Sequence, residues 1–498
     1  MTIIHNIPFI CLFLALLSAL VLPLIANQRR ALYTVLAVQL AVVVLSAVLL
    51  AELWHTGESF TYQMGHVSAP WGNELKAGPL EALLALVFSM VMLLSMAGGA
   101  ADARRDIKPE RQGGYFLLMQ LLYAALLAMV YTNDLFTAYV FIEIMAITAC
   151  IAVVIKESGR SVISAIRYLI FSCLGSGLVL LSISILYAVT GHLLMEDLGQ
   201  TLAELATQGR YTFALTAAAL LMTVGLSIKS AQFPFHAWLP DAHASATTSA
   251  SAILSGLVLK GYLVLLIKLA VRVFGSTLLL GIYMYDLLFF LGLSGMLFAS
   301  VAALRQEEVK GMIAYSSSAQ ISYIFLAIGL GSRTGLAAAC FQIICHAFTK
   351  SMIFISAGAL IRAGNGGHHW SDLRGCARRD PVAGIGFTVG GLSLCGLPLL
   401  AGFSAKYALA VSALSEQWQT MPALFGLAAS SVLNAMYYIP AILAIWGPAR
   451  GAEQPVECPR SEMREHQMAI GFLLVCNIVL GVAVGPMLAL ITRGLELL

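Results

Sequence analysis

The stretch G-L-S-I-K-S-A-Q-F-P-F-H-A-W-L-P-D-A-H, residues 225–243, sets a lysine at the end of an apolar run and a proline five residues later. The run before it, from about residue 212, has the length needed to span a lipid bilayer. Pro234 lacks an N–H and its ring clashes with the preceding turn, so the helix is predicted to kink or unwind just after Lys229. A second stretch, G-L-P-L-L-A-G-F-S-A-K (396–406), repeats the device with Pro398 and Gly402 ahead of Lys406. Broken helices inside a membrane free backbone groups that hold water or ions near the midplane.

The rest of the chain is built for lipid. Of its 498 residues, 60% are hydrophobic and only 11% charged, against roughly a quarter charged in an ordinary soluble domain. Apolar runs recur near 4–26, 31–52, 79–99, 114–131, 133–155, 162–190, 212–232, 245–271, 276–301, 311–331, 335–362, 382–410, 422–446 and 468–492. They predict an all-α polytopic membrane protein of about fourteen transmembrane helices, with helices seven and twelve broken. The first run has no lysine or arginine before it and no small-residue cleavage site after it, so it reads as a retained helix. The 53–78 loop mixes aromatics with Gly and Pro and is expected to form a hairpin on the outer face.

Basic residues set the expected orientation. The loops after odd-numbered helices hold seventeen lysines and arginines, among them Arg29, Arg104, Lys156, Lys310, Arg362, Arg378, Arg450 and Arg464. The opposite loops hold six: Lys76, Arg210, Lys268, Arg272, Arg333 and Arg493. By the positive-inside rule both termini are extracytoplasmic, in a prokaryotic plasma (inner) membrane crossed many times. Helices seven and twelve differ by five, an odd number, so corresponding segments cross in opposite senses. That predicts two inverted five-helix repeats, helices four to eight (111–271) and nine to thirteen (272–447). Residues 1–110 supply helices one to three with the outer loop, and 448–498 a cytoplasmic loop with helix fourteen.

Once loop charges are set aside, Glu143, Lys229, Lys260, Lys350 and Lys406 remain at membrane depth, with His346 beside them. A charge there costs at least about 2.5–3.5 kcal/mol, so such groups face a hydrated or paired interior. An ion pair locking two helices would explain one of them; four lysines and a carboxylate on five helices suit proton movement better. A buried lysine is balanced between desolvation, which disfavours its charged form, and a nearby carboxylate, which favours it. Arginine holds its proton too tightly to take part. His346 and Lys350 share one helix face at a spacing of four, and histidine is a natural relay group. His236, Asp241 and His243, at the cytoplasmic end of helix seven, are candidates for capping or proton uptake. Asp134 reads as a helix cap. The nine cysteines lie mostly in apolar runs, without C-x-x-C or metal-ligand spacing, and no cofactor motif, metal site or nucleic-acid-binding signal is seen.

At these residues the sequence resembles the antiporter-like subunits shared by respiratory complex I, membrane-bound hydrogenases and Mrp-type multisubunit cation/proton antiporters. The matching stretches are N-D-L-F-T-A-Y-V-F-I-E (133–143), K-S-A-Q-F-P-F-H-A-W-L-P-D-A-H (229–243), V-K-G-M-I-A-Y-S-S-S-A-Q-I-S-Y (309–323), H-A-F-T-K-S-M-I-F (346–354) and G-L-P-L-L-A-G-F-S-A-K (396–406). The resemblance implies that Glu143 pairs with Lys229 and that Lys260 is a connecting lysine. It implies further that His346 and Lys350 form a relay and that Lys406 is the terminal lysine. Lysine at 406 fits the D-type antiporter subunit and some hydrogenase and complex I subunits. Two departures stand out: A-S-A-T-T-S-A-S (244–251) where the family has prolines, and A-G-P-L-E (77–81) where it has an aspartate.

The expected function is a proton-translocating subunit of a multisubunit membrane complex, first a Na⁺/H⁺ antiporter of Mrp type. The alternatives are a redox-driven complex of hydrogenase or complex I type, and a non-conducting scaffold. The expected partners are other integral membrane subunits, the bilayer, protons and, for an antiporter, Na⁺. Any redox centre would lie on another subunit.

Overall fold

A computed structural model describes residues 3–67, 72–416, 418–448 and 460–498. Arg450, read above as a loop residue, lies outside the described residues, as do 68–71 of the 53–78 loop. The protein is all-α apart from one small hairpin, and among the described residues thirteen helices are long and apolar enough to cross a membrane. In chain order they are α1 (Ile4–Leu24), α2 (Gln28–Thr56), α3 (Pro79–Gly98), α4 (Pro109–Tyr131), α5 (Leu135–Val154), α6 (Gly159–Thr190) and α7 (Thr212–Lys229). They continue as α8 (Thr248–Gly281), α9 (Met284–Leu304), α10 (Val309–Gly329) and α11 (Arg333–Ala363). After the shorter α12 (Pro381–Cys395) come α13 (Thr420–Trp446) and α14 (Arg460–Val482).

The twelfth span, expected as one run over 382–410, is two short helices, α12 and Ala401–Leu414. Between them Gly396 takes φ +97°, a left-handed conformation that suits glycine. The seventh behaves likewise: α7 ends at Lys229, and helix resumes only at Trp238–Ser245. The last span also divides, at Ala483, into α14 and α15 (Val484–Glu496).

Local sequence explains the helix starts. Asp134 accepts from the Thr137 amide at 2.6 Å and caps α5, as the sequence suggests. Asp380 accepts from the Ala383 amide ahead of Pro381, which opens α12. In the 53–78 loop, β1 (Phe60–Gln63) and β2 (Glu74–Ala77) pair antiparallel, Phe60 opposite Ala77, so the expected hairpin is present. The core is densest around α10 and α11, which are buried along almost their whole length, whereas α2 leaves most of its surface for lipid.

Two glycines set the spacing that matters for the site. A Cβ on Gly175 of α6 would lie 2.9 Å from the Gly225 carbonyl and 3.2 Å from Lys229 Cγ. Only bare backbone lets α6 and α7 approach so closely, the small-residue packing of membrane helices.

Candidate functional site

The unwinding after Lys229 frees the Ala231 carbonyl, and α10 supplies donors to it and to the neighbouring Gln232 side chain. Ser318 Oγ donates to the Ala231 carbonyl at 2.8 Å, and Ser322 Oγ to Gln232 Oε1 at 2.9 Å. Trp238 stacks on Tyr168 at 4.5 Å and pins the far side of the break. Lys229 is thereby presented from a fixed helix end. Its Nζ lies 3.4 Å from Glu143 Oε1 on α5 and donates to Ser172 Oγ on α6 at 2.7 Å. The lysine is buried, while the glutamate remains partly accessible.

The next lysine sits in an unusual helix. Leu254–Val258 and Leu269–Phe274 are π-helical turns on either side of the regular segment Leu259–Lys268. Lys260 Nζ donates to the Ser255 carbonyl within the first of them, and Ser255 Oγ meets Ser317 Oγ of α10 at 2.8 Å. Such turns occur often at functional sites. On α11, Lys350 Nζ donates to the Ile313 carbonyl at 2.9 Å and to Ser316 Oγ at 2.6 Å, with Tyr438 Oη at 3.4 Å. His346, one turn away, is buried, and both its ring nitrogens lack a hydrogen-bond partner among the described residues. Lys406 Nζ donates to Leu394 O at 2.7 Å and Ser431 Oγ at 2.9 Å, and lies over the Tyr323 ring.

Among the described residues, Lys229 alone of these four lysines has a carboxylate within ion-pair range. The others rest on carbonyls, serines and a tyrosine hydroxyl, groups that accept from an ammonium and, for the hydroxyls, also donate to a free amine. A row so solvated tolerates either protonation state better than an apolar wall would.

The three residues expected as an uptake group have different partners. Asp241 is ion-paired with Arg167 of α6. His236 is half-buried against Phe233 and Tyr315. His243 is not in a loop setting: it lies on the Trp238–Ser245 helix, fully buried and stacked on Phe354 at 4.6 Å, with neither ring nitrogen bonded among the described residues.

Several charges expected in loops prove to be buried. Lys268 and Lys310 are 1% and 5% exposed. Lys268 Nζ donates to the carbonyls of Val130 and Thr132 and closes the end of α4. Arg272 pairs with Glu81 at 2.6 Å, both side chains almost wholly buried. Arg362 pairs with Asp102 at 2.6 Å and meets His466 Nδ1 at 3.1 Å, and His466 Nε2 lies 2.6 Å from Asp380 Oδ2. These residues stand at the ends of apolar runs, where hydropathy alone cannot tell a loop from a helix tip covered by its neighbours. A carboxylate near the end of another run, as a partner for each arginine, was the available signal.

Residues 132–432 match the family described as NADH:quinone oxidoreductase/Mrp antiporter, TM. The chain belongs to this family. It is 33% identical over 491 residues to NADH-quinone oxidoreductase subunit N of Desulforudis audaxviator (strain MP104C), covering 96% of this chain and 94% of that protein. To the D-type subunit of a Na(+)/H(+) antiporter of Bacillus subtilis (strain 168) it is 26% identical over 413 residues, 83% of this chain and 81% of that one. Among solved structures it is similar to a chain of the membrane-bound sulfane sulfur reductase (MBS), an archaeal respiratory membrane complex. The TM-score there is 0.86 at 27% identity, over 99% of this chain and 97% of that one. Glu143, Lys229, Lys260, His346, Lys350 and Lys406 all fall inside the matched family region.

Proposed function

We propose that this member of the antiporter-like family is a proton-translocating subunit of a multisubunit membrane complex, and that Glu143, Lys229, Lys260, His346, Lys350 and Lys406 carry the protons. The observation that carries the reading is the Lys229–Glu143 pair at the broken end of α7, continued by three more lysines held on acceptors rather than carboxylates. The two five-helix groups, 111–271 and 272–447, act as inverted halves, each with one broken helix, and the Arg-rich face is cytoplasmic. When Glu143 moves or changes charge, the electrostatic support for the Lys229 proton changes, and the proton passes toward Lys260.

Each charge crossing 100 mV involves about 2.3 kcal/mol, so a partner must supply the drive. The first reading is a Na⁺/H⁺ antiporter of Mrp type with small hydrophobic partner subunits, which Lys406 fits, as it also fits some hydrogenase and complex I subunits. A second reading, a redox-driven complex, is favoured by the greater identity and coverage with the quinone oxidoreductase relative than with the antiporter relative. Purification of the intact assembly separates them: iron–sulfur absorbance in the complex supports redox drive, and its absence with Na⁺-dependent proton flux supports antiport. The path itself is tested by Glu143→Ala and Lys229→Ala in vesicles, where coupled proton transport is expected to be lost. Unchanged transport in either variant contradicts it.

A further inference from the structure

On the Arg-rich face, the Ala100–Asp106 helix, the start of α8, the start of α10 and the end of α11 enclose a polar cavity of about 170 Å³. Asp102, Lys156, Thr248, Lys310, Arg362 and His368 line it. A water needs only about 10–15 Å³ on this measure, so the space accommodates a cluster.

The groups facing the cavity are held with unequal completeness. Asp102 Oδ1 is fixed by Arg362, itself held by His466, which is in turn held by Asp380. Asp102 Oδ2, on a side chain more than nine-tenths buried, has no hydrogen-bond partner among the described residues. A glycine stands beside that oxygen: a Cβ on Gly358 would lie 2.8 Å from it and 2.3 Å from Thr248 Oγ1. Lys156 is neutralised by Asp106 at 2.6 Å. Lys310 has no carboxylate so close among the described residues; its Nζ donates to the Ala246 carbonyl at 2.9 Å, and Lys156, Asp102 and Asp106 are the charges around it. His243, three residues before the Ala246 carbonyl that holds Lys310, is fully buried and within electrostatic range of Lys310, Lys350 and Lys260. Both its ring nitrogens are unbonded among the described residues.

We propose that this cavity is the aqueous uptake port of the proton path, with Asp102 and Lys310 as its proton-accepting groups and His243 as the relay to the buried lysines. The proposal rests on the lysine path of the preceding section and moves its mouth away from His236 and Asp241, the latter already committed to Arg167. A proton from water in the cavity bonds to Lys310 Nζ or Asp102 Oδ2. As it passes to one ring nitrogen of His243, the other nitrogen releases a proton toward Lys350 or Lys260, so one N–H forms for each that breaks.

The test uses the full complex in proteoliposomes, with proton uptake followed by a pH-sensitive dye. Lys310→Arg keeps the charge but cannot release its proton. It is expected to assemble normally and to lower uptake at least tenfold, as is Asp102→Asn. Thr248→Cys, in a background with the exposed Cys173 changed to serine, is expected to react with a membrane-impermeant cationic thiol reagent and to lose uptake on reaction. Wild-type uptake in Lys310→Arg, or an unreactive Thr248→Cys, while Lys229→Ala is inactive, overturns the port and leaves the lysine path standing. Full transport in Lys229→Ala overturns both.

Discussion

Lys406 Nζ donates to the carbonyl of Leu394 at 2.7 Å, so the lysine carried by the second half of the broken twelfth span closes the last turn of the first half. A cation at a helix C-terminus is stabilising in its own right. Lys406 therefore joins the two halves as well as standing in the proposed path. These roles separate by substitution. Lys406→Ala takes one donor from the Leu394 carbonyl, which keeps Asn434 Nδ2 at 3.0 Å, and the 3.4 Å contact from Cys395; at about 0.5–1.5 kcal/mol per hydrogen bond, it is expected to lower the thermal denaturation midpoint together with proton flux. Lys406→Arg should recover the midpoint but not the flux. Recovery of both would mean that the residue is only a cap.

Ser172 is the shortest contact of Lys229, at 2.7 Å against 3.4 Å to Glu143. Ser172→Ala removes one hydrogen bond of about 0.5–1.5 kcal/mol from the protonated lysine, which slows transport by up to roughly tenfold without abolishing it. Initial rates in vesicles check this; a complete loss would show that the hydroxyl itself passes the proton.

Glu81 and Arg272 form a buried pair, and removing one partner leaves the other charge stranded at a cost of about 3–5 kcal/mol. Arg272→Met alone is expected to reduce the amount of assembled protein sharply. The double variant Glu81→Leu/Arg272→Met should restore much of it, and a double variant no better than the single one would argue for a functional charge. Measurement is by yield and size-exclusion profile.

Arg160 on α6 grips Glu308, just before α10, with two bonds of 2.7 Å. These bonds, against some opposing burial, hold the Glu308 carboxyl below its ordinary value. Because the folded value is lowered, the stabilisation is complete above the ordinary 4.5 and is lost as pH falls through the lowered value. The pair is substantially exposed, so the effect is small, about 0–1 kcal/mol. Glu308→Gln should lower stability at pH 7, by an amount that shrinks as pH falls below the ordinary 4.5 and through the lowered value; an effect that does not change with pH would assign the residue a steric role.

Much of this was legible in the sequence. Lys229 and Lys406 stand out because a proline interrupts each apolar run beside them, and both breaks fall there. The Asp134 cap and the hairpin in the 53–78 loop followed from local chemistry alone. What was not legible depends on packing between distant runs. Lys310, Arg362 and Asp102 follow or precede apolar runs in the pattern of loop charges, and only the folding of the Ala100–Asp106 helix against α8 and α11 buries them. His243 was read at the end of helix seven, and packing between distant runs likewise buries it, on the Trp238–Ser245 helix.

The two π-helical turns of α8 put the segment Leu259–Lys268 out of phase with the helix on either side of it. Each such turn takes up one residue more than a regular turn, and in a regular helix one residue corresponds to about 100° of rotation. If the same five-residue step from Ser255 to Lys260 ran as regular α-helix, at about 3.6 residues per turn, it would place Lys260 about 140° round the axis from Ser255, so the wide turn is what brings the lysine back to the Ser255 carbonyl. The helix thus carries an angular setting for its lysine that is independent of how the helix axis is packed.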